Sequence, residues 1–127
     1  MKEYLLLIRN LGDSKSTFLP ERHQQFLKSC ETYVERLTKA GQLISAQPLI
    51  REGAMISGTP GAWTEGLFSD TPEMQVGYYH ILATDLDEAI AIAKGNPEFE
   101  YTSTARIEVR PIKMKEETTS YVYPNSK

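Results

Sequence analysis

Two histidines and one cysteine are the side chains of this 127-residue sequence whose chemistry is most versatile near neutral pH. An imidazole takes up and releases protons at that pH, and a neighbouring carboxylate that fixes its tautomer makes it suited to acid–base catalysis. His23, Cys30 and His80 stand far apart in the sequence and lack the spacing of metal ligands. The sequence therefore predicts no metal site, and each histidine is a separate candidate for catalysis.

His23 stands in "LPERHQQFL", where a helix is predicted to begin. Glu35 lies about three turns further along that helix, too far away to orient the imidazole. The catalytic hypothesis therefore needs a carboxylate from another element. The alternative is a polar residue in the first turn of a helix, with no chemical role.

His80 lies within "QVGYYHILA", which has the composition of a strand. Val76, Tyr78 and Leu82 are expected on its face, because side chains alternate along a strand. If that face lines a cleft, His80 and Tyr78 could bind a ligand or move a proton. The competing hypothesis is a half-buried histidine with a structural role.

Three charged residues, Arg106, Glu108 and Arg110, alternate with apolar ones in "TARIEVRPI". One hypothesis is a solvated face with cross-strand ion pairs, each of small energetic value. The other is the interior of a barrel, where the arginines would select an anionic ligand. The sequence contains no serine nucleophile motif, phosphate loop or dinucleotide fingerprint, so we predict no cofactor.

The stretch "TEGLFSD" places Gly66 beside an apolar pair at the end of a predicted strand. A glycine there lets the chain bend or approach another backbone closely. Phe68 is then expected to turn inward, as a wall of the core or of a ligand cleft. The cleft hypothesis places Glu65 and His80 around a shared cavity, whereas a purely structural hairpin exit explains Gly66 equally well.

The hydrophobic pattern places these residues on alternating strands and helices. The run "LLLI" is typical of a strand covered on both faces, and a helix is predicted from Pro20 to Lys39, ended by Gly41. "QLISAQPLI" is a predicted strand with Pro48 at an edge or a bulge. "AMIS" and "AWTEGLF" are expected to form a hairpin around "GTPG".

The second helix follows "QVGYYHILA", and Thr84 is expected to cap it with Asp87 as the capping-box partner. Its predicted buried stripe consists of Leu86, Ala89, Ile90 and Ala93. With the last strand, the order becomes β-α-β-β-β-α-β, which predicts an α+β, ferredoxin-like fold with an antiparallel sheet over residues 1–112. Residues 113–127 are predicted to form a polar C-terminal extension.

Two helices cover only one face of such a sheet, yet the strands near residues 4–9 and 75–83 are apolar on both faces. A second copy of the chain is the simplest cover for the other face. We therefore expect a homodimer built as a dimeric α+β barrel.

Composition and charge limit the classes of partner that we expect for the protein. Residues 1–63 carry eight Lys and Arg against six Asp and Glu, and residues 64–127 carry six against eleven. Neither half has a basic patch, so no nucleic-acid partner is expected. The apolar run near the start is too short for a membrane span or a signal-peptide core. We predict a cytoplasmic protein without a membrane partner.

Several separated blocks resemble the YCII-related family from about residue 2 to residue 112, in its branch named after an Asp-Gly-Pro-Phe motif. The blocks are "YLLLIRN", "CETYVERLTKAGQLISAQPL", "EGLFSDTPEMQVGYYHILATDLDEAIAIAKGNPEF" and "IEVRPI". The naming motif falls on residues 65–68, where Glu65 replaces Asp and Leu67 replaces Pro. The resemblance implies a dimeric α+β barrel with a cleft between sheet and helices or between protomers. "PERH" also resembles the family's Pro-x-x-His helix start, which implies that His23 belongs to an acid–base dyad.

Three classes of function remain open. The first is a protein that binds a small molecule, anionic if the arginines face it, in a barrel cleft. The second is an enzyme of the isomerase, lyase or dehalogenase kind that uses His23 or His80. The third, implied by relatives encoded beside sigma factors, is an accessory partner of a transcription regulator. A cavity that contains His80, Arg106 or Arg110 would favour the first two classes.

Overall fold

The computed structural model describes residues 1–11, 14–67 and 72–126. These residues form a four-stranded sheet, a separate two-stranded hairpin, three α-helices and a short 3-10 helix, Pro124–Ser126. The elements in chain order are β1 Lys2–Leu11, α1 Pro20–Lys39, β2 Leu43–Pro48, β3 Met55–Thr59, β4 Ala62–Gly66, β5 Glu73–Ala83, α2 Leu86–Lys94, α3 Glu98–Tyr101 and β6 Arg106–Pro111.

The four-stranded sheet has the order β2-β5-β1-β6, and every neighbouring pair is antiparallel. This is the strand order of a ferredoxin-like domain, with the β3–β4 hairpin inserted between the second and third sheet strands. The predicted fold class, an α+β ferredoxin-like fold with an antiparallel sheet, is confirmed. Pro48 lies at the end of the edge strand β2. Proline has no backbone N–H, and at this position the sheet does not need one.

One face of the sheet forms the core with both long helices. Leu6 of β1 and Ile81 of β5 are fully buried there. They pack in one cluster with Tyr33 and Leu37 of α1 and with Ala89 of α2. Since α1 and α2 lie on this same side, neither covers the opposite face, which we call the open face. The open face carries Glu3, Leu5, Leu7, Tyr78, His80, Leu82, Arg106, Glu108 and Arg110.

Helix α1 has the predicted bounds. Pro20 occupies its first turn, and Ala40 follows its last residue, Lys39. Gly41 then adopts a φ of 70°, a conformation that glycine reaches without a steric penalty. The predicted hairpin is also present, with Pro60 and Gly61 between β3 and β4.

The predicted start of α2 is wrong by one residue. Asp85, not Thr84, is the N-cap, and its carboxylate accepts a hydrogen bond from the Glu88 backbone N–H at 2.9 Å. Glu88 Oε1 accepts in turn from the Thr84 N–H at 3.0 Å. A carboxylate at the N-cap also complements the helix dipole, which favours Asp over the preceding Thr. Leu86, the first residue of this helix, is exposed, so its predicted burial is wrong as well.

The face predicted for Val76 is wrong, because β5 contains a β-bulge at this residue. Ile8 pairs with Gly77 and Arg9 pairs with Gln75, which leaves Val76 as the extra residue on β5. A bulge breaks the simple alternation of side chains. Val76 therefore packs against the helix-side core, and it does not share the face of Tyr78, His80 and Leu82.

Beyond β6 the chain folds back on itself. Lys115 and Val122 form an isolated antiparallel bridge, and the Tyr121 and Tyr123 rings make an edge contact with centroids 5.2 Å apart. The division into a domain of residues 1–112 and an extension of 113–127 stays a prediction. Among the described residues, no helix combines the length and apolar character needed to cross a membrane.

Candidate functional site

A cavity of about 730 Å³ lies between α1 and the edge of the sheet formed by β2 and β5. We call it the cleft. Its volume is within the range typical of small-molecule sites. The apolar part of its wall is formed by Ile8, Phe26, Val34, Ala46, Met74, Val76 and Tyr79.

The local sequence explains why the cleft opens at this position. Phe26, Cys30 and Val34 are spaced four residues apart on α1, so they line up on one side of the helix. The bulge in β5 adds Val76 to the same wall. Beside it Gly77 is buried, and a Cβ at this position would lie 3.1 Å from the Gln47 carbonyl oxygen. The glycine thus allows β2 to approach β5 closely at the edge of the cleft.

The inner end of the cleft is polar. Glu98, which is 4% exposed, accepts hydrogen bonds at Oε1 from Asn10 Nδ2 at 2.8 Å and from Lys15 Nζ. Asn10 is fully buried, and its amide oxygen accepts from the Thr104 hydroxyl at 2.6 Å. We call Asn10, Lys15, Asn96 and Glu98 the polar cluster. Because its ion pair is shielded from water, loss of one partner would strand a charge at a cost of about 3–5 kcal/mol.

The side-chain nitrogen of Asn96 is buried and has no hydrogen-bond partner among the described residues. Its side-chain oxygen accepts from the Glu98 backbone N–H at 2.8 Å, which fixes the orientation of the amide. Burial raises the pKa of the Tyr33 hydroxyl, and the Asn96 side chain opposes this rise. Yet no described acceptor stands in hydrogen-bond geometry to this buried nitrogen. A buried donor without a partner costs about 1–3 kcal/mol.

Burial keeps the weak acids beside the polar cluster protonated. It raises the pKa of the Cys30 thiol to about 11, and Glu98 adds to this rise while Lys15 opposes it. Burial likewise raises the pKa of Tyr79 to about 12, with further contributions from Cys30 and Glu98. Since the thiolate is the nucleophilic form of cysteine, Cys30 is not an activated nucleophile. The cleft holds hydrogen-bond donors in place instead.

Among the predicted site residues that the structure describes, His23 borders the cleft. Its side chain is exposed in the first turn of α1, at the outer rim. The described part of the chain contains no ion pair between His23 and a carboxylate. Its assignment to an acid–base dyad stays a prediction without a partner residue.

His80 has a carboxylate partner from another element, as the catalytic hypothesis required for His23. Its Nε2 lies 2.6 Å from Glu3 Oε1 on the open face, with both side chains mostly shielded from solvent. His80 stands opposite Leu5 in the β1–β5 register, so Glu3 is its diagonal neighbour on the same face. Beside this pair, the Tyr78 hydroxyl lies 3.1 Å from Ser45 Oγ. Antiparallel pairing of the two strands, had its register been known, would have identified Glu3.

The charged residues of β6 also lie on the open face. Arg106 binds Glu73 through two hydrogen bonds of 2.6 and 2.9 Å, and this guanidinium lowers the pKa of the Glu73 carboxyl. Glu108 lies 3.9 Å from Arg9, and Arg110 is exposed. This arrangement has the cross-strand ion pairs of the solvated-face hypothesis. None of the three residues predicted on β6 lines the cleft.

The hairpin residue predicted for the site lies apart from both regions. Glu65 is exposed on β4, opposite Ile56 of β3. Neither Glu65 nor His80 lines the cleft, so the described residues do not place them around a shared cavity there. Phe68 lies outside the described residues.

No sequence pattern predicted Lys15, Asn96 or Glu98 as site residues. They stand in the polar stretches "DSKST" and "GNPEF", which are typical of solvated loops. Their burial depends on the position of α3, a four-residue helix with no periodic pattern to predict it. Within residues 1–11, 14–67 and 72–126, no three His, Cys, Asp or Glu side chains come together as a metal site requires.

Comparison with known proteins places this fold in a family. The model of the YCII-related domain matches residues 2–113, which is most of the chain and includes all strands of the sheet. No curated protein matches the sequence. Membership of the branch named after the Asp-Gly-Pro-Phe motif stays a prediction. The chain therefore belongs to the YCII-related family.

Proposed function

We propose that this protein binds a small organic molecule in the cleft. The observation that carries the proposal is a cavity of about 730 Å³ with apolar walls and a buried polar cluster at its inner end. Small-molecule sites typically combine apolar surface, which supplies affinity, with a few fixed polar groups, which supply specificity. The protonated state of Cys30 and Tyr79 supports a role in binding rather than in nucleophilic catalysis.

A pair of variants on β2 tests whether the cleft binds ligands. Ala46 lines the cleft, whereas Ile44 on the same strand is exposed and does not. Ala46→Phe should fill the cleft and weaken binding of the apolar dye Nile red by about tenfold or more. Ile44→Phe, the matched control, should leave the dye affinity unchanged. Equal dye affinities for both variants, measured by fluorescence titration, would contradict the proposal.

We further propose that two copies of the chain pair through their open faces. Leu5, Leu7 and Leu82 supply apolar surface at the centre of this face, and both long helices lie on the other side of the sheet. Apolar side chains on a sheet face without helices favour a cover on that face. A second copy supplies such a cover, and the ion pairs of Arg106 and Arg9 would lie towards the edge of the interface.

An enzyme that uses acid–base chemistry is the second candidate function. The short contact between His80 Nε2 and Glu3 Oε1 favours it, because a carboxylate that accepts a hydrogen bond from Nε2–H leaves Nδ1 as the base. Nitrogen–proton correlation spectra of the neutral imidazole should then show the Nε2–H tautomer for His80. The Glu3→Gln variant, which lacks the carboxylate, is the control for the effect of Glu3 on the tautomer. An Nδ1–H tautomer in the unmodified protein would remove this candidate.

A further inference from the structure

At the inner end of the cleft, the polar cluster has both a hydrogen-bond donor and a hydrogen-bond acceptor that are unused. Asn96 Nδ2 is a donor without an acceptor. Glu98 uses Oε1 for both of its side-chain bonds, and among the described residues no partner contacts Oε2. Lys15 donates one of its three N–H groups to Glu98 and lies 4.9 Å from the centre of the Phe26 ring. A ligand that offers an acceptor beside a donor would use this capacity.

The charges of the polar cluster are already balanced. Lys15 and Glu98 form an ion pair in which Glu98 is almost fully buried. Among the described residues, the other charged side chains of the cleft wall belong to Glu31 and Arg51, and both are exposed. A carboxylate or an ammonium group at the inner end would therefore bring an uncompensated charge into a site shielded from water, which is costly. A neutral polar group avoids that cost.

From these two observations, and resting on the proposed function of the cleft, we propose that the polar cluster recognises a neutral head group with a hydrogen-bond acceptor beside a donor. A primary carboxamide is the simplest such group. Its carbonyl oxygen accepts from Asn96 and Lys15, and its N–H donates to Glu98 Oε2. The apolar body of the ligand lies against Phe26, Val34, Met74 and Val76.

Three probes test this proposal, each a phenyl ring on a four-carbon chain that ends in a different head group: 4-phenylbutanamide, 4-phenylbutanoate and 4-phenylbutylammonium. Their affinities are measured by calorimetry on the full chain. We expect the amide to bind about tenfold more tightly than either charged probe, because only the amide satisfies both unused groups without adding charge. A tighter affinity for phenylbutanoate, or equal affinities for all three, would overturn the proposal.

Two variants should change this ranking in opposite directions. Glu98→Gln leaves the Lys15 ammonium unpaired, so phenylbutanoate should become the tightest probe. Lys15→Met leaves the Glu98 carboxylate unpaired, so phenylbutylammonium should become the tightest. Glu100→Gln, an exposed change on the same short helix, should keep the ranking of the unmodified protein. If the variants of the polar cluster do not fold, the ranking in the unmodified protein still decides the outcome.

Alkylation of Cys30 distinguishes two outcomes: failure of the head-group proposal alone, and failure of the proposal that the cleft binds a ligand. Cys30 is the single cysteine of the chain and lines the cleft. Bound probe should slow its reaction with a maleimide. Protection by all three probes with equal affinities would reject the neutral head group but keep the cleft as a binding site. No protection and no measurable affinity for any probe would reject both proposals.

Discussion

Tyr79 and His80 are neighbours in β5, yet one side chain borders the cleft and the other lies on the open face. The same division separates Ile8 from Leu7 in β1. On the cleft side, burial is the largest influence on the weak acids and raises the pKa of Tyr79 and of Cys30. On the open face, ion pairs and hydrogen bonds between side chains dominate. If both proposals hold, two adjacent residues of one strand serve different purposes: Tyr79 borders the bound ligand, and His80 faces the second copy of the chain.

The largest expected difference between the two faces is in folding stability. Leu6 is fully buried on the helix side, whereas the adjacent Leu5 is half-buried on the open face. Leu6→Ala should lower the free energy of unfolding by about 2–5 kcal/mol, through lost burial and a cavity. Leu5→Ala should cost only about 1 kcal/mol in the isolated chain. Urea denaturation at low protein concentration measures both, and equal losses would contradict this assignment of faces.

A smaller effect is expected from a charge placed on the open face. We expect the unmodified chain to sediment as a dimer at micromolar concentration. Leu7→Glu would bury an unpaired carboxylate in the proposed interface and should weaken dimerisation by about tenfold or more. Leu86→Glu, an exposed change on α2, is the control that should leave the dimer intact. Sedimentation equilibrium that shows the unmodified protein as a monomer would remove the dimer proposal.

The fold was more predictable from the sequence than the site was. The apolar run of β1, the proline and glycine at the ends of α1 and the turn between β3 and β4 are local signals, and the structure has each of these elements. The face of Val76 was predicted wrongly because a single bulge reverses the face of a residue, and bulges depend on the register between strands. Glu3 and His80 are 77 residues apart, so only that register brings them together.

The polar cluster was the least predictable part of the molecule. Its ion pair joins Lys15 and Glu98, which are 83 residues apart. Both stand in segments whose composition is typical of exposed loops. Charged residues are seldom buried unless they are paired, and a pairing over this distance has no local signal. A buried site of this kind becomes visible only when the helices are placed on the sheet.

The most direct test of ligand binding in the cleft is methyl NMR spectroscopy of the full chain, titrated with each of the three phenylbutyl probes. The methyl groups of Val34, Met74 and Val76 report on the cleft, and those of Leu5, Leu7 and Leu82 report on the open face. We expect saturable shifts in the first set and unchanged signals in the second. Shifts confined to the open face, or no shifts with any probe, would contradict the proposal that the cleft is the binding site.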